Sequence, residues 1–570
     1  MSVAKALESE FSRQELLDIV SRISALNRIQ GSKELEEAAK VIVSMLEEVG
    51  GSTEIKMFSY DRSYGTILGV VGWDVQECEV RMLKPKEKLL HTFLNSKTVV
   101  VAHSPSGDVE AEVVYVGEGV DEAAYRDVVD KIVLSYGPTR TVYWYAVKHG
   151  AVGVMFFRRN APSDAVPYRG LFLLADELPY AKIPAVCISR TSAYEIINLL
   201  ERGEKVVVRL YVKAQFRSVA QAPAVIARIG DGDREIHLSA HICHPGGTVN
   251  DNASGAALLV ELYRALMRGF KRGYIDPPNG ISMVFVWIPE YFGTAALLDS
   301  YDVDSILINV NLDMVGERQE ITGSTLLFVG SPMFMYNDLQ FLLLSTLLKA
   351  LRIPKAFSID RRILSYRFDV IPYECGSDHD VYLGLLKPAI MINSWPDKYY
   401  HTDMDTIDKF DPELVKRIAI AVTNFVYNIK PQNKHTSKFF DTAMAIGVLG
   451  DIESLDAILE RIDLARKVLE AKPSGKTYRT VAKPALVSTR YVLRRLGFEN
   501  GWKLLREFER RGEIYIHLFE HYIPKLLLSK PMDVGGIAKM VFAEYGVKLE
   551  QRDVENMLKH LQELGIVEEV

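Results

Sequence analysis

Between residues 236 and 392 the chain returns four times to a short, near-continuous apolar run: Ile236–Ala240, Ile281–Ile288, Ile306–Val310 and Ala389–Ile392. Runs of that length without polar alternation read as strands covered on both faces. Stretches of helical periodicity lie between them, such as Ala256–Met267 and Leu339–Ala350. Apolar strands alternating with helices predict an α/β layer built on a largely buried, doubly wound sheet. Ligand groups in such folds gather in the loops beyond the strand C-termini. The polar residues of interest fall in those loops.

The flanking segments have a different rhythm. Residues 14–49 carry apolar positions at helical spacing and end at Gly50-Gly51, so residues 1–65 are assigned as N-terminal helices of the catalytic domain. Residues 66–221 change to short β-branched runs broken by turns, including Val99-Val100-Val101, Val113–Val116, Ile132–Leu134 and Val206–Val208, and predict a β-rich insertion. The α/β core is assigned to 222–434. From 435 the strands are expected to stop, leaving a helical region over 435–530. Residues 531–570 read as helix, turn at Gly546, a second helix over 549–563 and a short Ile566-Val567 strand.

Four loops beyond the core strands hold metal-competent side chains. HLSAHICHPGGTVNDNASGAALL carries His241, His244 and Asp251; VFVWIPEYFG carries Glu290; INVNLDMVG carries Asp313; AIMINSWPDKYYHTDMDT carries Tyr400 and His401. Gly376-Ser377-Asp378-His379 precedes the last of them. Amide hydrolysis at neutral pH calls for a water made acidic by a bound cation, and imidazole with carboxylate is the donor set of a non-thiol zinc site. A carboxylate left off the metal can take the water's proton and pass it to the leaving amine. A single His or Asp in such a loop is usually a structural residue or a cap. Four such loops in one order carry the chemistry together.

That order, His … Asp-Asn-Ala-Ser-Gly … Glu … Asn-Leu-Asp-Met … Ser-Asp-His … His-Thr, resembles the zinc aminopeptidase superfamily of bacterial aminopeptidases, glutamate carboxypeptidases and glutaminyl cyclases. The resemblance covers about 222–430. It implies a zinc-exopeptidase (phosphorylase/hydrolase-like) α/β fold and a site of one or two zinc ions, with cobalt or manganese as alternatives. The ligands it implies are His241, Asp251, Asp313 and His401. Tyr291, Ser377, Asp378, His379 and Tyr400 are placed beside the substrate. Segment 105–215, with DKIVLSYG and AVKHGAVGVMFF, resembles the protease-associated domain inserted in several members.

Two positions depart from the pattern. The usual His-x-Asp reads His241-Ile242-Cys243, followed by His244-Pro245. The usual Glu-Glu pair reads Pro289-Glu290-Tyr291. Aligned without a gap, Glu290 is the general base and Tyr291 stands where the second ligand would be; shifted by one, Glu290 is the ligand. The gapless alignment, with Glu290 as general base, is preferred here, and in it His244 can replace the lost ligand. These variants and the C-terminal tail resemble a less characterised, aminopeptidase-like branch ending in a winged-helix-like module.

The function implied is a metal-dependent aminopeptidase acting on peptides, with a carboxypeptidase or amidohydrolase, or a catalytically silent binding protein, as alternatives. A net charge of −6 gives no reason to expect nucleic acid or an anionic membrane as partner. In the last helix Glu550, Asp553 and Glu555 stand beside Arg552 and Lys559, a poor balance for phosphate contact, so helix packing or homo-oligomer formation is the expected role there. Glu8, Glu10 and Glu15 interrupt any N-terminal signal pattern, no apolar span is long enough for a membrane, and the four cysteines are far apart. A cytoplasmic location is expected.

Overall fold

The computed structural model describes residues 2–359, 362–429 and 455–570. Its centre is an eight-stranded sheet in the order Thr53–Ser59, Gln221–Ile229, Ser282–Ile288, Glu235–His241, Ile306–Leu312, Ala389–Trp395, Thr325–Val329 and Phe368–Ile371. The middle four strands are mutually parallel, with His241 opposite Ile288, Asn311 opposite Met391 and Leu312 opposite Ile392. Their C-terminal ends therefore share one edge of the sheet, and the candidate loops all leave from that edge. Ser282–Ile288 and Glu235–His241 are buried along their whole length, as continuous apolar runs require.

Helices Gly255–Lys271, Asp338–Ala350 and Pro412–Asn428 cover the sheet, and their apolar faces build its main core. Local chemistry sets their ends. Asn337 caps Leu339 and Gln340, and Asp411 caps Glu413 and Leu414 ahead of Pro412 at the first helical turn. The N-terminal helices Arg13–Ser24 and Lys33–Glu47 pack into the same core.

A seven-stranded mixed sheet runs from Lys88–Thr92 through Gly72–Lys84, Val207–Arg217, Gly107–Tyr115, Ile132–Ser135 and Gly153–Phe156 to Ala185–Cys187, around a core of its own. One expected strand there is different: Lys97–Val99 is a single 3₁₀ turn, and Val100 makes only an isolated bridge to Val186. Short-range β-propensity yields there to a tight turn bonded through Ser96 and Thr98.

The expectation of a region without strands over 435–530 fails at Thr477–Thr480, while the expected strand at Ile566-Val567 is found as Val567–Glu569. Thr477–Thr480 pairs with both Met532–Asp533 and Val567–Glu569 in a small antiparallel sheet. Four residues that pair only across more than fifty positions leave no periodicity to read. Around this sheet pack helices Thr489–Leu496, Phe498–Arg511, Val534–Tyr545 and Gln551–Glu563. Their core is continuous with Phe292, Tyr373 and Tyr382 of the α/β unit. Residues 435–454 of the expected helical region lie outside the described residues. No described helix is long and apolar enough to cross a membrane.

Candidate metal centre

His241 is the last residue of its strand, and the chain then turns through Cys243 and His244. Arg28, fully buried, ties this turn down. Its guanidinium donates to the carbonyls of Ile242 (2.8 Å) and Ile23 (2.7 Å), while its own carbonyl receives His244 N–H at 3.0 Å. His244 has φ 124°, which holds its ring turned into the site. A carbonyl can only accept, so the 2.7 Å contact of His244 Nδ1 with Cys243 O fixes Nδ1 as the protonated nitrogen. Nε2 is left with a free lone pair, the form a metal takes. Burial pushes the His244 pKa down to about 3, which keeps the ring neutral.

Asp251 lies where the next loop enters helix Gly255–Lys271. The entry is tight: a Cβ on Gly255 would stand 2.1 Å from Leu312 O, so the loop needs glycine there. The Asp251 carboxylate is buried and faces both ways. His241 Nε2 lies 3.4 Å from Oδ1, and His244 Nε2 and His401 Nε2 lie 3.4 and 3.0 Å from Oδ2. On the first side Asp313 Oδ1 is 3.3 Å from His241 Nε2. Two clusters result, His241–Asp251–Asp313 and His244–Asp251–His401, each with ligand atoms within 4.8 Å of one another. They share one carboxylate.

The donor set fits divalent cations. Asp313 Oδ1 is buried and accepts no hydrogen bond of sound geometry among the described residues, a costly state for a lone carboxylate oxygen. Burial opposes protonation of His241, but Asp313, Cys243 and Glu290 outweigh it and hold its pKa well above the imidazole range. A buried imidazole set between the carboxylates of Asp251 and Asp313 is the field a cation would relieve.

Glu290 follows Ser282–Ile288 and lies within 4.8 Å of His241, Cys243 and His244 in a third grouping. Its backbone is held on both sides: its N–H points at Cys243 Sγ (3.4 Å), and its carbonyl receives Gln30 Nε2 (3.0 Å). Burial lifts its carboxyl to about 8; His241 opposes, while Asp313, Asp378 and Asp251 add to the rise. A carboxylate with a pKa near neutrality is matched to proton transfer.

All five candidate ligands and Glu290 line a single cavity of about 200 Å³, together with Tyr400 and an apolar wall that includes Leu327, Val329 and Met391. Of the residues expected beside the substrate, only Tyr400 lines this cavity. Tyr291, Ser377, Asp378 and His379 do not line it, and each has a polar atom bonded to a neighbouring residue. Asp378 Oδ1 accepts Tyr291 N–H (2.8 Å) and the Thr294 hydroxyl (2.7 Å); Ser377 Oγ accepts Asn311 Nδ2 (2.7 Å); His379 Nε2 meets Glu374 O (2.8 Å). Tyr291, at φ 56°, turns its ring away from the ligands, and its hydroxyl reaches Asp380 Oδ2 at 3.3 Å.

Three residues escaped the sequence reading. Asp405 accepts the backbone N–H groups of Asn250 and Asp251. Arg28 acts across more than two hundred positions. Tyr168, from the inserted segment, sets its ring 5.3 Å from that of His244 and 5.1 Å from that of His401, and its N–H donates to His401 O at 2.7 Å. Only Asp405 had a local signal, the acidic run after His401-Thr402.

Residues 224–426 match the model of Peptidase family M28. Among solved structures the chain is similar to a zinc aminopeptidase from Bacillus subtilis, at 16% identity over 75% of this chain and 97% of that one, with a TM-score of 0.52. It is similar to a Peptidase M28 precursor from Shewanella amazonensis at 17% identity, over 75% and 95%, with a TM-score of 0.54. A Clostridium acetobutylicum structure matches at 12% identity over 99% of this chain and 97% of that one, with a TM-score of 0.52. At such identities the likeness is one of fold. No curated protein matches the chain in sequence.

Proposed function

We propose that this protein is a metal-dependent exopeptidase that removes N-terminal residues from peptides. The observation that carries the reading is the sharing of Asp251 between two three-residue ligand clusters, with Glu290 beside both. His241, Asp251 and Asp313 would hold one cation and His244, Asp251 and His401 a second. In this reading His244 supplies the donor that Tyr291 does not. A divalent cation there, zinc by the donor set, supplies Lewis acidity at the scissile carbonyl.

The chain's own residues do the rest. Glu290 accepts a proton from the attacking water and returns it to the departing amine, as a carboxyl in the wall of the same cavity as the ligand clusters is placed to do. Cys243 and Gln30 fix the Glu290 backbone, so the carboxyl does not have to search for its position. Tyr168 and Tyr400 pack on the imidazoles of His244 and His401 and keep water from their faces.

Metal analysis of the purified protein, beside turnover of unblocked, N-acetylated and C-amidated peptides, tests this reading. Cleavage of unblocked and C-amidated peptides alone supports it. Cleavage that needs a free C-terminus and tolerates N-acetylation makes the protein a carboxypeptidase. Full metal occupancy with no turnover makes it a silent binding protein and ends the reading.

A further inference from the structure

A second cavity, of about 300 Å³, also has Glu290 in its wall, together with Tyr291, Thr489, Arg490, Glu520 and His521. Glu290 is the residue it shares with the cavity of the ligand cluster. The C-terminal region therefore helps build a cavity that adjoins the ligand cluster through Glu290.

Arg490 is underused there. A guanidinium carries five N–H donors, yet among the described residues the hydrogen bond it makes is one of 3.4 Å to Phe172 O. Among the described residues Glu177 is the carboxylate that pulls on it, and Glu177 is already engaged by Arg140 and by the Leu174 N–H. Two guanidiniums thus face one carboxylate. Burial, with Arg140 adding, lowers the Arg490 pKa to about 10, which leaves it cationic at neutral pH. His521 adds no uncompensated charge to the wall: its Nδ1 lies 2.7 Å from Asp380 Oδ2 and its Nε2 3.8 Å from Glu520 Oε2, so Arg490 is the cation the cavity offers. The opposing carboxyl, Glu520, is lifted to about 7 by burial and accepts the Thr489 hydroxyl at 3.0 Å, so its negative charge is muted. The planar fork of an arginine matches a carboxylate in two parallel bonds.

We propose that this second cavity receives the leaving side of the substrate and that Arg490 grips a free C-terminal carboxylate there, which makes dipeptides and other short unblocked peptides the preferred substrates. The inference rests on the aminopeptidase reading. It follows from where the chemistry would occur: the amine released beside Glu290 belongs to the residue lying in this cavity, and in a dipeptide that residue ends in a carboxylate.

The test compares Leu-Gly with Leu-Gly amide on the full-length, metal-loaded protein and on Arg490→Met and Arg490→Lys. The wild type is expected to favour the acid over the amide about 10–100-fold in kcat/KM, the scale of one lost charge-assisted pair. Arg490→Met should bring that ratio near one, and Arg490→Lys should restore part of it. A purely structural defect would lower both substrates together and leave the ratio intact. A wild-type ratio near one, or a ratio unmoved by Arg490→Met, overturns the proposal. If neither peptide is cleaved, the aminopeptidase reading has failed, and calorimetric titration of the same two peptides then judges the cavity. Tighter binding of the acid that disappears in Arg490→Met upholds the carboxylate site, and equal affinities overturn it.

Discussion

Asp405 receives the backbone N–H of Asp251 at 3.1 Å, and the same carboxylate receives the Asn250 N–H at 2.8 Å. The loop that presents His401 therefore grips the loop that presents Asp251, and the relative position of the two candidate ligands is fixed by main-chain bonds. Asp405 is 2% exposed, and burial, with Asp397 adding, lifts its carboxyl to about 8. Asp251 is held the other way: burial is outweighed by His244, His401 and His241, and its pKa lies below the usual carboxylate range. The inner carboxylate is kept ionised, while burial pushes its support toward the neutral form.

Metal-free protein should lose stability as pH rises from 7 to 9. Burial lifts Glu290 and Asp405 to about 8 and Glu317 to about 9, whereas in an unfolded chain they titrate near 4.5, 3.8 and 4.5. Through this window the folded protein holds protons that the unfolded chain has already released, so stability is greatest at the acid end and falls through the folded pKa values. The slope is of order 1 kcal/mol per pH unit for each proton retained. Calorimetric Tm values at pH 7 and pH 9 in chelator check the sign, and a metal-free Tm that is flat or rising over that interval contradicts it. A saturating divalent cation should make the fall shallower.

Glu290→Gln should cost roughly 10²–10⁴ in turnover while leaving metal content close to wild type. The substitution keeps the shape and removes the proton acceptor, and the bonds that Cys243 and Gln30 make to this residue are to its backbone. Kinetics and elemental analysis on one preparation decide it. Loss of metal together with turnover assigns Glu290 as a ligand.

Cys243→Ala should weaken metal binding and spare the chemistry. Cys243 is 3% exposed, with Sγ 3.6 Å from His241 Nδ1, the place where a partner orients a metal-binding imidazole. Burial also raises its thiol pKa, which disfavours the thiolate a nucleophile needs. Metal affinity should fall about 10–100-fold, with turnover restored by excess cation. Turnover that stays lost at saturating metal in a folded variant would make the thiol part of the reaction.

The sheet was legible because its strands are continuous apolar runs, and the loops because four polar clusters follow those runs in order. What escaped lacks a local pattern. Thr477–Thr480 is four residues whose partners lie more than fifty positions away. Arg28 reads as one basic residue after a helix, yet it organises a turn that carries two histidines. Tyr291 was placed beside the substrate by alignment; its backbone at φ 56° sends its hydroxyl toward Asp380, so it lines the second cavity and not that of the ligand cluster, a direction that spacing does not encode. Which imidazole faces the ligand cluster was open for the same reason, since His244 sits in a loop without helical period.

Replacing the histidines one at a time should separate the two clusters. His241 stands with Asp313 on one oxygen of Asp251, and His244 with His401 on the other. Each cluster has three donors, so losing one leaves a two-donor site that should not retain zinc at micromolar concentrations, while the other cluster keeps its set. His244→Ala and His401→Ala should therefore each bind one cation fewer than wild type and resemble one another. His241→Ala and Asp313→Ala should form a second matched pair, and Asp251→Ala should lose both cations. The tautomer of His244 sharpens the expectation: Nδ1 is spent on Cys243 O, so Nε2 is the atom free to bind, and His244→Gln should not substitute for it. Metal-to-protein ratios after dialysis, with circular dichroism to confirm folding, decide between outcomes. If His244→Ala keeps every cation while His401→Ala loses one, His244 is a substrate contact and its cluster is completed elsewhere.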